Sequence, residues 1–324
     1  MLSYLRGDMM IIKKYSASLY VEALHALYKR MPKNDLKFSK IQEEYYQKVA
    51  GNIGEEAVMK VIEQLDLPYK FYAFHNILLY SETLFQMDIL IITQYYALIL
   101  EVKNIKGEIT FTDQQMIRTL ATNETHAFDN PFLQSEDYQS QLKRLFQANH
   151  ISLPIFSAVA FAFSSSIIKD PPKNKTIVFR RGIKPYIRNI PANACILTDA
   201  QLESLKYFLL KESIDFQPFP LTNHFGIDPN SLRKGVECVH CGLIGMKKVI
   251  RNWYCPRCRS SHRHAHEAAL RDYFLVYKST ISNQECQQFL QLNNKYEATK
   301  ILNNPMLIKT GQSRSRKYSM KFDK

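Results

Sequence analysis

Residues 85–103 read FQMDILIITQYYALILEVK, and this segment determines the architecture expected of the chain. Two runs of apolar and β-branched side chains, Phe85–Thr93 and Ala97–Lys103, flank a short Gln94-Tyr95 break. Uninterrupted apolar runs of this length predict buried strands, and the short break predicts that the two strands form a hairpin.

Three charged residues interrupt these apolar runs. Asp88 enters the first strand, and Glu101 and Lys103 close the second. Successive side chains of a strand alternate faces, so Glu101 and Lys103 point the same way while Val102 points into the core. Antiparallel pairing would place Asp88 beside Glu101, giving two hard oxygen ligands with an ammonium group, which suits Mg²⁺ and a phosphate. A simple same-face ion pair on an exposed strand is the competing interpretation.

The surrounding sequence predicts an α/β domain. Its periodicity gives helices and further strands, which we place at Ser18–Arg30, Lys40–Val49, Gly54–Leu65, Asn130–Asn149 and Ala200–Lys211 for helices and at Phe71–Leu79, Glu108–Thr112, Ile155–Phe163 and Ile177–Phe179 for strands. Glu55 falls in the first turn of the Gly54–Leu65 helix. There it would either compensate the helix dipole or reach a metal site at the strand ends.

Several short motifs together resemble one nuclease family. They are Gly51-x-x-Gly54-Glu55, Met87-Asp88, Glu101-Val102-Lys103-Asn104 with Gly107 close behind, and Asn130-Pro131-x-x-Gln134. This combination resembles the nuclease-related domain, NERD, which is similar to the PD-(D/E)xK restriction-endonuclease-like superfamily. The resemblance covers residues 45–165, and the Glu-Val-Lys-Asn element is its most specific part. Met87 stands where the superfamily usually has proline.

The resemblance implies roles for individual residues. Asp88 and Glu101 would bind Mg²⁺, Lys103 would position the attacking water, and Glu55 would support the site as a further catalytic residue. We also expect Gln134 and Gln141 to line the substrate groove.

The excess positive charge lies in the last third of the chain. Residues 1–229 hold 25 Lys/Arg and 24 Asp/Glu, whereas residues 230–324 hold 18 and 6. A basic segment attached to a neutral one is typical of nucleic-acid binding. No apolar run reaches the roughly 18 residues that a membrane helix needs, and the N-terminus lacks the centre of a signal peptide. We therefore expect a cytoplasmic protein that does not bind membranes.

Four cysteines in the basic segment have the spacing of a zinc ribbon. They form two Cys-x-x-Cys pairs, Cys238/Cys241 and Cys255/Cys258, which 13 residues separate. Four thiolates saturate Zn²⁺ tetrahedrally, so we expect a structural metal site. Histidines of the same segment are alternative ligands that four cysteines make unnecessary; they are His240, His262, His264 and His266.

Residues 265–322 resemble a winged helix-turn-helix. Helices are predicted at Ala265–Tyr277, from Ser282 to near Leu290 and at Lys295–Leu302, followed by a hairpin of Met306–Lys309 and Lys317–Met320. Such a unit reads DNA with its last helix and touches phosphates with its hairpin. The residues expected to do so are Tyr296, Thr299 and Lys300 in the major groove and Arg314, Arg316 and Lys317 on the backbone. A helical protein-interaction module is the alternative.

The predicted fold is α/β: a restriction-endonuclease-like mixed sheet flanked by helices, followed by a small zinc ribbon and a winged helical domain. The segments are an N-terminal helical part (1–44), a nuclease-like domain (45–165), its completion and a linker (166–235), the ribbon (236–262) and the winged helix-turn-helix (263–324). The predicted function is a Mg²⁺-dependent DNA nuclease or DNA-processing protein. A non-catalytic DNA-binding regulator is the alternative, and RNA remains open as a substrate.

Overall fold

A computed structural model describes residues 9–13 and 18–322, and its contacts divide the chain into two compact units. The first unit takes residues 9–13 and 49–215, and the second takes the described residues of 18–48 and 216–324. The five predicted segment boundaries stay a prediction. One feature needs correction, because the N-terminal part is not only helical.

That N-terminal part contains a strand. Strand β1 (Met9–Lys13) pairs in parallel with the segment that begins at Phe71, and only then follows helix α1 (Leu19–Arg30). The short apolar run Met-Met-Ile-Ile lacks the length that would mark it as a strand in the sequence. The strand that begins at Phe71 pairs with the predicted hairpin on one side and with residues 9–13 on the other. Its backbone hydrogen bonds hold residues 9–13 as a strand.

A single long helix replaces the two that the sequence predicts between residues 40 and 65. Helix α2 runs without interruption over Phe38–Ile62, and residues 49–62 of it belong to the first unit. Gly51 and Gly54 suggested a break. A glycine inside a helix costs only about 1 kcal/mol relative to alanine, however, and burial of Val58, Met59 and Ile62 offsets that cost.

The first unit is built on a mixed six-stranded sheet in the order β1-β2-β3-β4-β8-β10. The strands after β1 are β2 (Phe71–Tyr80), β3 (Leu84–Thr93), β4 (Ala97–Lys103), β5 (Glu108–Phe111), β6 (Gln115–Thr119), β7 (Thr125–Asp129), β8 (Ile155–Phe161), β9 (Ile167–Ile168) and β10 (Ile177–Phe179). β2, β3 and β4 are antiparallel, and β1, β8 and β10 are parallel to their neighbours.

Helices cover both faces of this sheet. They are α2 together with α3 (Pro131–Ala148), α4 (Ile183–Arg188) and α5 (Asp199–Glu212). α2 and α4 pack on one face, and α3 and α5 pack on the other. The prediction of a mixed sheet flanked by helices is therefore confirmed.

A second sheet, in the order β7-β6-β5-β9, follows the charged end of β4. Of its strands the sequence predicted only β5. β7 is largely exposed and β6 is half-buried, and both carry polar residues, so they lack the apolar run that would mark them. Their backbone pairing with β5 and with each other holds them in place.

The second unit has one core, which α1 shares with the C-terminal elements. These elements are α6 (Leu221–Phe225), β11 (Val236–Glu237), β12 (Ile244–Val249), β13 (Asn252–Tyr254), β14 (Ser261–His262), α7 (Ala265–Val276), α8 (Asn283–Leu290), α9 (Lys295–Leu302), β15 (Leu307–Thr310) and β16 (Lys317–Met320). Leu24, Trp253, Phe274 and Phe289 meet in this core. Three helices followed by a hairpin match the predicted order of elements, while a winged helix as a domain type stays a prediction.

Candidate active site and cysteine cluster

The alternation of side chains between the two faces of the sheet is interrupted in strand β3 at Asp88. Met87 packs on the face covered by α3 and α5, whereas Ile89 packs on the face covered by α2 and α4. Two residues of a regular strand at this spacing would share one face. Asn76, opposite Asp88 in the β2–β3 register, has a φ of 52°. The irregularity in both strands sets the direction of the Asp88 side chain.

Asp88 is tied to strand β4 through its carboxylate. β3 and β4 pair in the antiparallel register that the sequence predicts, and the last pair before the charged residues is Ile89 with Leu100. Beyond it, Oδ2 of Asp88 accepts a hydrogen bond from the backbone N–H of Val102, with 2.7 Å between the two atoms. The Asp88 side chain thus bonds strand β4 beyond the last backbone pair of the two strands. Its carboxylate lies next to Glu101.

Glu101 and Lys103 form a close ion pair at the end of β4. The Nζ of Lys103 lies 2.7 Å from Oε1 of Glu101, and Glu101 is only 2% exposed. Its other oxygen, Oε2, is buried without a hydrogen-bond partner among the described residues. A buried carboxylate oxygen in this state is costly, so it is the atom of this site that most needs a cation or a donor.

Burial and repulsion from neighbouring carboxylates raise the pKa of both Asp88 and Glu101. Burial raises the pKa of Asp88 well above its ordinary value, and the charges of Glu101 and Glu55 raise it further. Burial also raises the pKa of Glu101, and the ammonium of Lys103 offsets only part of that effect. Carboxyl groups that resist ionisation in the free protein gain most from a bound cation.

For Lys103 the surroundings favour the charged form of the side chain. Burial lowers its pKa, but the carboxylates of Glu101 and Asp88 more than offset burial and raise the pKa above its ordinary value. Lys103 is therefore an ammonium at neutral pH. It can donate hydrogen bonds and stabilise negative charge, but it cannot accept a proton.

Glu55 reaches the site from the middle of α2. The helix begins at Phe38, so Glu55 lies far from the positive helix end, and the dipole-compensating interpretation is wrong. Its Oε2 lies 2.8 Å from Nε2 of His75, a buried residue of β2. Its charge also raises the pKa of both Asp88 and Glu101. The structure thus brings Glu55 together with the other three predicted residues.

Gly54 allows α2 to approach the end of β4. A Cβ at this position would lie 2.5 Å from the Cβ of Asn104, which is closer than side-chain atoms can come. The amide of Asn104 donates to the carbonyl oxygen of Ala50 in the same helix, at 2.6 Å. The residue directly after Lys103 is therefore clamped to the helix that carries Glu55.

Gln134 joins the cluster, whereas Gln141 does not. Gln134, near the start of α3, accepts from Nζ of Lys103 at 3.4 Å and donates to the hydroxyl of Tyr138 at 2.7 Å. Gln141 is buried, and its amide bonds the backbone N–H of Glu82 and the hydroxyl of Thr83 in the β2–β3 turn. Its place in a substrate groove has no support from this geometry.

The sequence missed three residues close to the site. His75 contacts Glu55, Tyr138 contacts Gln134, and the charge of Asp129 acts on Lys103. Burial and the nearby charges of Glu101 and Asp88 raise the pKa of Tyr138 to about 12, with Gln134 acting against them. Only a histidine inside the apolar strand β2 gave any signal in the sequence, since the other contacts arise through tertiary packing.

The carboxylates of Asp88 and Glu101 are compatible with a divalent metal ion that keeps much of its hydration shell. They offer hard carboxylate oxygens, and Oε2 of Glu101 is the orphaned atom such an ion would satisfy. Among residues 9–13 and 18–322, the four cysteines are the one group of three or more metal-ligating side chains gathered within 4.8 Å. An ion at the carboxylates would therefore rely on one or two protein ligands and on water, as Mg²⁺ usually does.

The four cysteines of the second unit form a compact cluster. Their sulfur atoms all lie within 4.8 Å of one another, and none is in a disulfide. Sγ of Cys238 is 3.6 Å from that of Cys258, and Sγ of Cys241 is 3.5 Å from that of Cys255. Tetrahedral Zn–S bonds of about 2.3 Å put the sulfurs about 3.8 Å apart, so the cluster could hold zinc.

Two equivalent turns present these cysteines. In the first, the N–H of Gly242 donates to the carbonyl of Cys238. In the second, the N–H of Arg259 donates to the carbonyl of Cys255. Both closing residues have a left-handed backbone, with φ of 68° and 60°. These two turns, or knuckles, correspond to the two Cys-x-x-Cys pairs of the sequence, and the sheet β11-β12-β13-β14 holds them together.

The predicted DNA-contacting residues lie on the surface of the second unit. Tyr296, Thr299 and Lys300 are exposed on α9, while Arg316 and Lys317 are exposed at the start of β16. The hydroxyl of Thr299 already bonds the carbonyl of Lys295 and the amide of Asn283, so a base contact would have to replace these bonds. The side chain of Arg314 lies outside the described part of the structure.

A comparison with protein families matches the part of the chain that contains these acidic residues. The family model of the nuclease-related domain matches residues 50–162, which contain Glu55, Asp88, Glu101 and Lys103. No curated protein and no solved structure matches the chain. None of the helices described is long and apolar enough to cross a membrane. Residues 50–162 of this chain are thus similar to the nuclease-related domain, and a nuclease-related function follows for this part of the protein.

Proposed function

We propose that this protein is a Mg²⁺-dependent nuclease that hydrolyses phosphodiester bonds of DNA. The site would consist of Asp88, Glu101 and Lys103, with Glu55 in support. The observation that carries the proposal is the buried, unpartnered Oε2 of Glu101 beside a protonated lysine. A site with one unsatisfied carboxylate oxygen and one adjacent ammonium is suited to a ligand that brings both charges, as a divalent ion with a phosphate does.

Asp88 and Glu101 would hold the ion, which when bound supplies charge neutralisation at the phosphate. Asp88 is aimed by its bond from the Val102 N–H, and Glu101 by its bond from Lys103. Because the pKa values of both are raised, ion binding should release protons and should strengthen as the pH rises.

Lys103 would orient the water and stabilise the charge that develops on the phosphate. Its raised pKa keeps it protonated, so the proton of the attacking water would pass to a phosphate oxygen of the substrate or to solvent. Gln134 accepts from Nζ of Lys103 and so restricts where the ammonium can point. Glu55, held by His75, would support the site by adding negative charge close to both ligands.

Targeting to DNA would reside in the basic second unit. We propose a structural zinc ion at the four cysteines and a winged-helix role for α7–α9 and the β15–β16 hairpin. Tyr296 and Lys300 would approach bases, and Arg316 and Lys317 would contact phosphates. The exposure of these four side chains supports this arrangement. The predicted cytoplasmic location belongs to the same proposal.

The test uses the full-length protein purified with its native metal. Labelled duplex, single-stranded and branched DNA, and RNA of the same sequence, are incubated with Mg²⁺ or with a chelator that is then reversed by excess Mg²⁺. We expect cleavage of DNA that requires the divalent ion. Preferential cleavage of RNA would correct the substrate. A folded protein that binds DNA and cleaves none of these substrates would favour the alternative, a non-catalytic DNA-binding regulator.

A further inference from the structure

The tip of the zinc-ribbon hairpin exposes two apolar residues side by side. β12 and β13 are joined by the two-residue turn Ile250-Arg251, with Val249 paired to Asn252. Ile250 is 93% exposed and Val249 is 42% exposed. Neither belongs to the core of the second unit, so the fold does not require an apolar residue at either position.

The residues of this turn, Ile250 and Arg251, are unusual for a two-residue hairpin turn. Two-residue hairpin turns favour Asn-Gly, Asp-Gly or glycine, because a positive φ is needed there. Arg251 adopts a φ of 58° without being glycine, and Ile250 is β-branched and apolar. A local rule broken in an otherwise regular hairpin points to a function rather than to folding.

The charge of the ribbon that carries this tip is of one sign. From Cys238 to His266 the chain holds six Lys/Arg and no Asp/Glu. The six are Lys247, Lys248, Arg251, Arg257, Arg259 and Arg263. In the part of the chain that the structure describes, none of them forms a salt bridge, and five of the six are exposed. An uncompensated positive ribbon of this density, with Lys247, Lys248 and Arg251 at or next to its hairpin turn, is complementary to a polyanion.

Lys248 and Trp253 form a packed base beneath the tip. Nζ of the sixth, half-buried Lys248 donates to the carbonyl oxygens of Val249 and Asn252, both at 3.2 Å. It also lies over the ring of Trp253, 5.5 Å from the centroid. Trp253 is fully buried and donates to Nδ1 of His266. The apolar tip therefore stands on a packed base, in a segment that also carries the four-cysteine cluster.

We propose that Ile250, with Val249 beside it, is a wedge that enters the minor groove of duplex DNA and separates adjacent base pairs, while Lys247 and Arg251 hold the flanking phosphates. Proteins that kink DNA insert apolar side chains in this way, and basic neighbours offset the cost of unstacking. The inference rests on the proposed DNA-targeting role of the second unit. It is independent of whether the acidic cluster is catalytically active.

The test compares full-length variants on a duplex that contains the fluorescent base 2-aminopurine. Ile250→Ser removes the wedge, and Val239→Ser is the matched control, because Val239 is 60% exposed in the same ribbon but lies in a knuckle. Lys247→Gln removes one charge at the tip. Zinc content and Trp253 emission confirm that each ribbon is folded.

We expect Ile250→Ser to lose the unstacking signal and to weaken binding about tenfold, since the variant no longer buries an isoleucine side chain between the bases. Its salt dependence should be unchanged. Lys247→Gln should keep unstacking and reduce the log–log salt slope by about 0.9. Val239→Ser should match the wild type in both.

Unstacking by Ile250→Ser at the wild-type level would overturn the wedge while leaving DNA binding intact. If Ile250→Ser lost binding only to vesicles of anionic phospholipid, the tip would be a membrane contact and the inference would be wrong. A wild-type protein that binds no duplex would overturn the DNA-targeting proposal and the wedge together. A wild type that unstacks DNA but does not cleave it would refute only the nuclease.

Discussion

Gly54 and Asn104 are in contact at the point where α2 meets the end of β4. The missing Cβ of Gly54 would lie 2.5 Å from that of Asn104, and the amide of Asn104 bonds the same helix at Ala50. This contact fixes the distance between the helix that carries Glu55 and the strand that carries Glu101 and Lys103. The glycine is therefore a packing requirement of the candidate site.

Replacement of the two helical glycines of this motif should have opposite effects. Gly54→Ala should destabilise the protein by about 1–3 kcal/mol through overpacking and should displace Asn104. Gly51→Ala should stabilise it by about 0.5–1 kcal/mol, because its nearest neighbour would be 3.7 Å away and alanine favours the helix. Urea denaturation of both variants beside the wild type measures the difference. Equal effects of the two substitutions would contradict the proposed contact.

The sequence predicted the elements of the site better than their contacts. Apolar runs placed β2, β3, β4 and α3 almost to the residue, because buried strands and a capped helix are local patterns. The same patterns could not show that α2 is continuous, since the packing of Gly54 against Asn104 joins residues far apart in the chain. The change of face at Asp88 and the contact of His75 with Glu55 were hidden for the same reason.

The ribbon should need zinc to fold, and the fluorescence of Trp253 can report whether it is folded. Trp253 is the only tryptophan of the chain, it is buried, and it lies two residues before Cys255. Removal of the metal by a strong chelator should shift its emission to longer wavelength as the ribbon loses structure. Elemental analysis should give about one zinc per chain.

Cysteine variants provide the control for this zinc prediction. Cys258→Ser should lower zinc content and shift the Trp253 emission, whereas Cys195→Ser should do neither, because Cys195 is exposed and lies in the first unit. Full zinc content in the Cys258 variant would show that the cluster does not bind the metal as we propose.

Asp88→Asn should stabilise the metal-free protein at high pH. Burial, then Glu101 and Glu55, raise the folded-state pKa of Asp88 well above its unfolded value of about 3.9. Between these two pKa values the folded state holds a proton that the unfolded state has lost, so stability falls as the pH rises. Asparagine removes this penalty and can still accept from the Val102 N–H.

Melting curves in a chelating buffer measure this pH effect. At pH 8 the Asp88→Asn variant should melt above the wild type, and the difference should shrink as the pH falls toward 4. Mg²⁺ should raise the melting temperature of the wild type alone. A variant that is less stable by the same margin at every pH would contradict the raised pKa.

DNA binding by the second unit should follow its exposed charges. Arg316→Gln and Lys317→Gln should each reduce the log–log salt slope by about 0.9, because each would lose one phosphate contact. Lys278→Gln is the control, since its ammonium pairs with Glu285 at 2.7 Å. Point substitutions are preferable to truncation near residue 230, because α1 shares its core with the C-terminal elements. Unchanged slopes would remove these residues from the interface.

The cleavage rate of the Glu101→Gln variant at saturating Mg²⁺ tests the central claim most directly. Glutamine keeps the shape of the side chain but removes the charge that would hold the ion. Cleavage should fall more than about 100-fold, since loss of even an outer partner of a metal site costs about 10–100-fold. Lys103→Met should be severe as well but should keep metal affinity, because an ammonium is not a ligand. Glu82→Gln, on the exposed turn before β3, should cleave like the wild type. Wild-type cleavage by a folded Glu101→Gln variant would contradict the account.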